Sequence, residues 1–158
     1  MLEDLQAVVH IQKDGDTSMP KRATDGSAGF DLRVDLLREG LFKYYLEPGE
    51  VKKFSTGWKF YIRNPNIVGI VTMRSGISAK HGIQLRNQIG VIDSDYHGVV
   101  YVTLVNTSDK AYELEHNERV CQILFMPVII PEIKILKNMA KGIKTGRNEN
   151  GFGSTGRK

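Results

Sequence analysis

An acidic segment of the chain, residues 90–98 (GVIDSDYHG), carries the side chains best suited to acid–base chemistry. Asp93 and Asp95 are two residues apart, so an extended backbone would place both carboxylates on one face. A carboxylate held there could act as a general base that activates water. A polar hairpin loop without a catalytic role is the alternative, and the residue types alone do not decide between them.

A second segment, residues 73–78 (MRSGIS), places Arg74 and Ser75 at the end of an apolar run. If a short helix begins there, its backbone N–H groups and these two side chains could bind an anion. The alternative is an N-capping serine beside a solvated arginine.

A third segment, residues 119–126 (RVCQILFM), is apolar on both faces except at Arg119 and Gln122. A buried amide that lacks a hydrogen bond costs about 1–3 kcal/mol. We therefore expect Gln122 either to join a structural polar network or to be directed at a site.

The C-terminal residues 151–156 (GFGSTG) match the pattern G-x-G-x-x-G. The dinucleotide-binding interpretation of this pattern requires a strand before it and a helix after it, and only two residues follow here. Glycine N–H groups, the Ser154 and Thr155 hydroxyls and the Arg147 guanidinium are nevertheless suited to binding phosphate. Phe152 could stack on a base, and a flexible terminus is the alternative.

The elements that must position these residues are mostly strands, because the apolar pattern has a period of two. Residues 99–105 (VVYVTLV) are β-branched and aromatic, as strands prefer. The other runs of this kind are residues 6–11, 30–34, 57–62, 67–73, 111–114, 119–126 and 128–136. With one short helix at residues 75–81, this pattern predicts an all-β barrel or sandwich of the jelly-roll kind.

The amino-acid composition divides the chain into two regions. Residues 1–136 are predicted to form the β-barrel domain, and residues 137–158, rich in glycine and basic side chains, a flexible C-terminal arm. The net charge of +4 suits an anionic ligand. With a single cysteine, no apolar run of about 18 residues and no signal peptide, we expect a cytoplasmic protein without a membrane partner.

Five motifs in order along the chain resemble those of the homotrimeric dUTPase family. They are Ala28-Gly29-Phe30-Asp31-Leu32, Arg74-Ser75-Gly76, residues 90–98, Arg119-Val120-Cys121-Gln122 and residues 147–156. The resemblance spans about residues 20–158. It implies a jelly-roll-like β-clip fold, a homotrimer with active sites shared between subunits, and Mg²⁺-dependent hydrolysis of dUTP to dUMP and pyrophosphate. This activity would limit uracil incorporation into DNA and supply dUMP for thymidylate synthesis.

The resemblance also implies a role for each site residue. Asp93 would orient and deprotonate the attacking water, and Asp31 and Gln122 would hold the Mg²⁺ through water. The substrate-binding residues of the barrel would be Arg74, Ser75, Gly76, Asn87, Val91, Ile92, Tyr96 and Tyr101. Those of the arm, which would close over a neighbouring subunit, would be Arg147, Phe152, Gly153, Ser154 and Thr155. Arg119 would be structural.

Some features depart from the family pattern. Asn148-Glu149-Asn150 replaces a glycine-containing spacer in the arm, and Asn117-Glu118 replaces a Gly-Asp pair. Residues 35–45 form a longer stretch than a compact member needs, and the sequence assigns no function to them. The alternatives are a dCTP deaminase-like or bifunctional nucleotide enzyme and a dUTPase-fold regulatory binding protein. We expect no stable binding of nucleic acid.

Overall fold

The computed structural model describes residues 8–135 and contains mainly antiparallel strands. In chain order the strands are β1 (His10–Lys13), β2 (Lys21–Arg22), β3 (Phe30–Arg33), β4 (Lys43–Leu46), β5 (Val51–Tyr61), β6 (Ile67–Met73), β7 (Ile83–Leu85), β8 (Gly90–Ile92), β9 (Val99–Asn106), β10 (Tyr112–Glu115) and β11 (Arg119–Pro127). The helix α1 is Ser75–His81, and Leu37–Glu39 form one turn of 3-10 helix.

The strands form two larger sheets and one small one. One sheet has the order β1-β5-β9-β7, and the other has the order β2-β3-β11-β6-β8. Strands β10 and β4 pair separately. A single apolar cluster joins the larger sheets: Phe54 and Val102 come from the first, and Leu32, Val71 and Ile123 come from the second.

Most predicted strands are present, and the predicted helix has the bounds of α1. The pattern-based prediction omits the short strands β2, β4, β7 and β8 and the first half of β5. The omitted short strands have only two to four residues, which carry too little periodicity to be separated from a turn.

The strand predicted at residues 128–136 is wrong for its described part, because residues 128–135 are irregular. Val128 still donates its N–H to the Asn66 carbonyl oxygen at 2.8 Å. Beyond it, Ile129, Ile133 and Ile135 are each about nine-tenths exposed. Their side chains favour a strand, but a strand also needs a paired neighbour, and no strand within residues 8–135 pairs with this segment.

Residues 35–45, which the sequence left without a role, fold against the core. Leu36 is buried, and Asp35 forms an isolated bridge with Ser55 on β5. The turn of 3-10 helix then leads to β4. No helix within residues 8–135 is long and apolar enough to cross a membrane.

A break in the register of β5 accommodates the loop that follows β1. Gly57 lies at this break with φ +75°, and its carbonyl oxygen accepts a hydrogen bond from the Asp14 N–H at 2.8 Å. A Cβ atom at Gly57 would lie 2.9 Å from Thr17 Oγ1 and 3.3 Å from Gly15 Cα. Both the backbone conformation and the available space therefore require glycine.

We expect Gly57→Ala to lower the free energy of unfolding by about 1–3 kcal/mol, because alanine is strained at this φ. Gly26→Ala is the matched control, since a Cβ there meets no atom within 4 Å. Urea titrations of both variants would measure the difference. Equal stabilities would contradict this account of β5.

Candidate active site

A row of polar residues crosses four strands of the five-stranded sheet. Asp31 on β3 lies opposite Lys21 on β2 and opposite Gln122 on β11. Gln122 in turn lies opposite Thr72 on β6. Residues directly opposite each other in antiparallel strands have Cβ atoms about 4.5–5.5 Å apart. The register therefore brings together residues that are far apart in the sequence.

The Asp31 carboxylate is held between two arginines. Arg74 Nε lies 3.1 Å from Asp31 Oδ1, and Arg119 Nη1 lies 3.1 Å from Asp31 Oδ2. The side chain of Asp31 is only 13% exposed. These charge-assisted contacts compensate the carboxylate charge and fix the direction of both guanidinium groups.

Gln122 occupies a tight space against the backbone that precedes β3. A Cβ atom at Gly29 would lie 2.3 Å from Gln122 Oε1. Any side chain at Gly29 would therefore displace the Gln122 amide. This geometry gives a physical reason for glycine two residues before Asp31.

The Arg74-Ser75-Gly76 segment joins β6 to α1. The Arg74 N–H donates to the Val120 carbonyl oxygen at 3.1 Å, and Arg74 Nη1 donates to the Arg119 carbonyl oxygen at 3.3 Å. Ser75 and Gly76 are exposed on the first turn of α1, and a Cβ at Gly76 would meet nothing within 4 Å. Because the described chain leaves this space open, a ligand can approach the Gly76 backbone.

The turn between β7 and β8 carries Asn87 at the surface. The Gln88 N–H donates to the Leu85 carbonyl oxygen at 3.0 Å, and Gln88 has φ +60°. On β8, Val91 is exposed and Ile92 is half-buried. The turn thus presents backbone groups and apolar surface close together.

Asp93 and Asp95 lie in a turn, so the predicted placement of both on one face of a strand is wrong. Strand β8 ends at Ile92, and the Tyr96 N–H donates to the Asp93 carbonyl oxygen at 3.1 Å. The backbone leaves the extended conformation there, so the period of two no longer applies. Both carboxylates are exposed.

Tyr96 folds back over the end of the same loop. Its hydroxyl donates to the Val99 carbonyl oxygen at 2.8 Å. A Cβ at Gly98 would lie 2.5 Å from the Tyr96 hydroxyl oxygen, so only glycine permits this position. The next residue, His97, packs on Tyr61 with ring centroids 5.1 Å apart. These contacts hold the loop while 42% of Tyr96 stays exposed.

Within one chain, Asp93 and Arg74 lie near opposite ends of β6. Ile92 is opposite Gly69, so Asp93 comes beside Val68, and both residues line one cavity. Arg74 follows the other end of the strand. Six residues of extended chain span about 20 Å. One subunit therefore does not bring Asp93 to the group formed by Arg74, Asp31 and Arg119, called here the Arg74 cluster.

Tyr101 lies on β9 near the turn that carries Asn87. The Arg86 N–H donates to the carbonyl oxygen of Thr103, which is two residues, or about 7 Å, from Tyr101 along the strand. Arg38 Nη1 donates to the Tyr101 hydroxyl at 3.3 Å, and Lys53 Nζ lies 4.9 Å from the ring centroid.

Lys21 lies at the edge of the polar row, opposite Asp31, and is not among the site residues that the sequence singled out. Lys21 belongs to a two-residue strand, and no local pattern in the sequence marks it. Arg119, interpreted as structural, ties β11 to β3 through Asp31. The predicted arm residues Arg147, Phe152, Gly153, Ser154 and Thr155 lie outside the described residues.

The neighbouring Cys121 is not suited to nucleophilic catalysis. Its side chain is fully buried, and burial raises the pKa of the thiol to about 12. The thiolate is the reactive form, so little of it is present near neutral pH. Among residues 8–135, no three His, Cys, Asp or Glu side chains form a metal-binding group.

Comparisons with known proteins agree on one family. The family model described as dUTPase matches residues 16–156. A deoxyuridine 5'-triphosphate nucleotidohydrolase of Histophilus somni (strain 2336) is 43% identical over 140 residues, covering 89% of this chain and 88% of that protein. The protein of the same name from Haemophilus influenzae (strain PittEE) is 40% identical over 139 residues, covering 88% and 87%.

A solved structure of a dUTPase has the same fold as this chain. The Staphylococcus bacteriophage 80alpha dUTPase with dUPNHPP superimposes with a TM-score of 0.81 at 25% identity, covering 94% of this chain and 98% of that chain. The predicted all-β fold is confirmed by this likeness. The chain belongs to the dUTPase family of enzymes.

Proposed function

We propose that this protein hydrolyses dUTP to dUMP and pyrophosphate, with Mg²⁺, by attack of water on the α-phosphorus. The observation that carries the proposal is the convergence of Asp31 on β3, Gln122 on β11 and Arg74, which follows β6, in a chain of this family. An oxygen-donor pair beside an arginine is suited to a triphosphate with its cation.

The ligand atoms of this site are better suited to Mg²⁺ than to a metal ion that is coordinated by protein atoms alone. The atoms of Asp31 and Gln122 that can bind a hard cation are oxygens, and the Asp31 carboxylate already contacts two arginines. Mg²⁺ keeps several waters and binds through one or two carboxylates plus substrate phosphates. Asp31 and Gln122 would hold the ion through water. When bound, the ion would offset the charge of the triphosphate.

The phosphate groups would lie over the beginning of α1. Arg74 supplies positive charge, and Ser75 supplies a hydroxyl donor. The open space in front of Gly76 lets the phosphate oxygens approach the backbone. Positive charge at this point reduces the repulsion that slows the attack of water on a polyanion.

Asp93 would orient the attacking water and accept its proton. Its exposed position in a hydrogen-bonded turn lets the carboxylate face a ligand bound elsewhere. Tyr96 would lie under the deoxyribose and exclude a 2'-hydroxyl. Asn87, Val91, Ile92 and Tyr101 would form the uracil pocket, in which the backbone of the β7–β8 turn pairs with the base.

A homotrimer would complete the site. Asp93 and Arg74 are about 20 Å apart in one chain, so Asp93 must come from a neighbouring subunit to meet a substrate held by Arg74. Closed cyclic assemblies allow each subunit to give Asp93 to one neighbour and receive it from the other.

Substrate choice tests the proposal directly. We expect pyrophosphate release from dUTP with Mg²⁺, and none at comparable rates from dCTP, dTTP or UTP, because the pocket selects uracil and the sugar contact excludes ribose. Chelation with EDTA should abolish the release. Ammonia release from dCTP would instead indicate a deaminase, and inactivity on all four nucleotides would favour a regulatory binding protein.

Substitution of the two aspartates of the turn should have different effects on turnover. We expect Asp93→Asn to lower kcat by about 10²–10⁴-fold, since a general base contributes on that scale. Asp95→Asn is the matched control, because Asp95 is exposed in the same turn. Steady-state kinetics on dUTP would measure both. Similar losses in the two variants would contradict the role given to Asp93.

The arm formed by residues 137–158 completes the proposal. Arg147 would reach the γ-phosphate, Phe152 would stack on uracil, and Ser154 and Thr155 would bind phosphate oxygens. Deletion of residues 140–158 should leave a folded trimer and severely reduce turnover, because closure excludes bulk water. Light scattering and kinetics would measure both quantities. Full activity of the truncated protein would show that the arm is dispensable.

A further inference from the structure

A basic cavity of about 650 Å³ lies at the β2 side of the five-stranded sheet, next to Asp31. Four cationic side chains and one carboxylate line it: Lys21, Arg22, Arg33, Arg119 and Asp31. The remaining lining residues are Ser18, Met19 and Ala23. The cavity therefore carries net positive charge, and it adjoins the candidate active site through their shared Asp31.

The strand register forces these charges together. Lys21 is directly opposite Asp31, and Arg33 follows Asp31 by two residues on the same face of β3. Arg119 is directly opposite Arg33. Like charges that face each other across two strands destabilise a sheet, so this arrangement costs folding free energy.

The chain compensates only part of this charge. Arg119 is paired with Asp31. Arg22 Nη1 donates to the Asp25 carbonyl oxygen at 2.5 Å, and Arg33 Nη1 donates to the Asn117 carbonyl oxygen at 2.6 Å. Carbonyl oxygens orient a guanidinium but do not neutralise it. Within residues 8–135, neither these two arginines nor Lys21 form a salt bridge.

The lining indicates which kind of anion fits. Guanidinium groups bind phosphate oxygens through two parallel hydrogen bonds, and an ammonium group binds them as a point charge. None of the described lining residues is aromatic, so the cavity offers no stacking surface for a base. A phosphate anion without a nucleoside therefore suits the site best.

We propose that this cavity is a second anion subsite that receives inorganic pyrophosphate as it leaves the candidate active site. The assignment of pyrophosphate rests on the proposed function, in which it is the leaving product. Lys21 and Arg22 would attract the anion past Asp31, away from the Arg74 cluster.

Calorimetric titration of the full-length protein with inorganic pyrophosphate, in EDTA, tests the subsite without catalysis. We expect Lys21→Gln/Arg22→Gln to weaken pyrophosphate binding by about 10- to 100-fold, because two charge-assisted contacts are lost. Lys80→Gln/Lys110→Gln is the matched control. It removes the same charge from a different cavity, and its affinity should stay near that of the wild type.

Product inhibition of dUTP hydrolysis gives a second readout. The inhibition constant of pyrophosphate should rise in parallel with its dissociation constant, while kcat and the KM for dUTP change less than about twofold. If loss of Arg22 disturbs the loop whose carbonyl it contacts, Lys21→Gln alone replaces the double variant. Lys21 is exposed, and its loss should still weaken binding several-fold.

Three results would overturn the subsite. The first is that the wild type does not bind pyrophosphate in EDTA. The second is that the double variant and its control bind pyrophosphate with equal affinity. The third is that Arg74→Gln abolishes pyrophosphate binding while the double variant retains it. Tighter binding of a single-stranded DNA through Lys21 and Arg22 would also overturn it. Pyrophosphate binding through Lys21 in a protein that leaves dUTP intact would instead refute the proposed function, and with it the product assignment.

Discussion

Strand β11 pairs with β6 along most of its length and with β3 near its start, and this central ladder fixes the register of the candidate site. Asp31 meets Gln122 because the β3–β11 register puts them opposite each other. Arg74 follows the end of β6 and bonds to the backbone of β11. A shift of one residue in this ladder would turn these side chains to the other face of the sheet.

The ladder also concentrates charge. Asp31 is the carboxylate between Arg74 and Arg119, with Lys21 and Arg33 on the same part of the sheet. Such an excess of positive charge opposes folding and favours binding of a polyanion. The same feature therefore accounts for the proposed triphosphate site and, on its outer side, for the proposed pyrophosphate subsite.

Local sequence patterns predict much of the fold but little of the site geometry. The period of two identifies long strands such as β9 and β11, and the residues around Ser75 predict α1 correctly. The same period fails at Asp93 and Asp95, where a backbone hydrogen bond closes a turn. It also fails at residues 128–135, which have strand-forming side chains but pair with no strand in the described chain. The pairing of Lys21 with Asp31 depends on strand register, which local patterns do not carry.

In the proposed homotrimer, each active site needs Asp93 from one subunit and Arg74 from another. The direct test mixes inactive Asp93→Asn and Arg74→Gln chains in equal amounts, unfolds and refolds them together, and measures dUTP hydrolysis. Random assembly makes three-quarters of the trimers mixed, each with one complete site, so about one quarter of the wild-type activity should return. Recovery of no activity from mixed trimers would contradict a shared site.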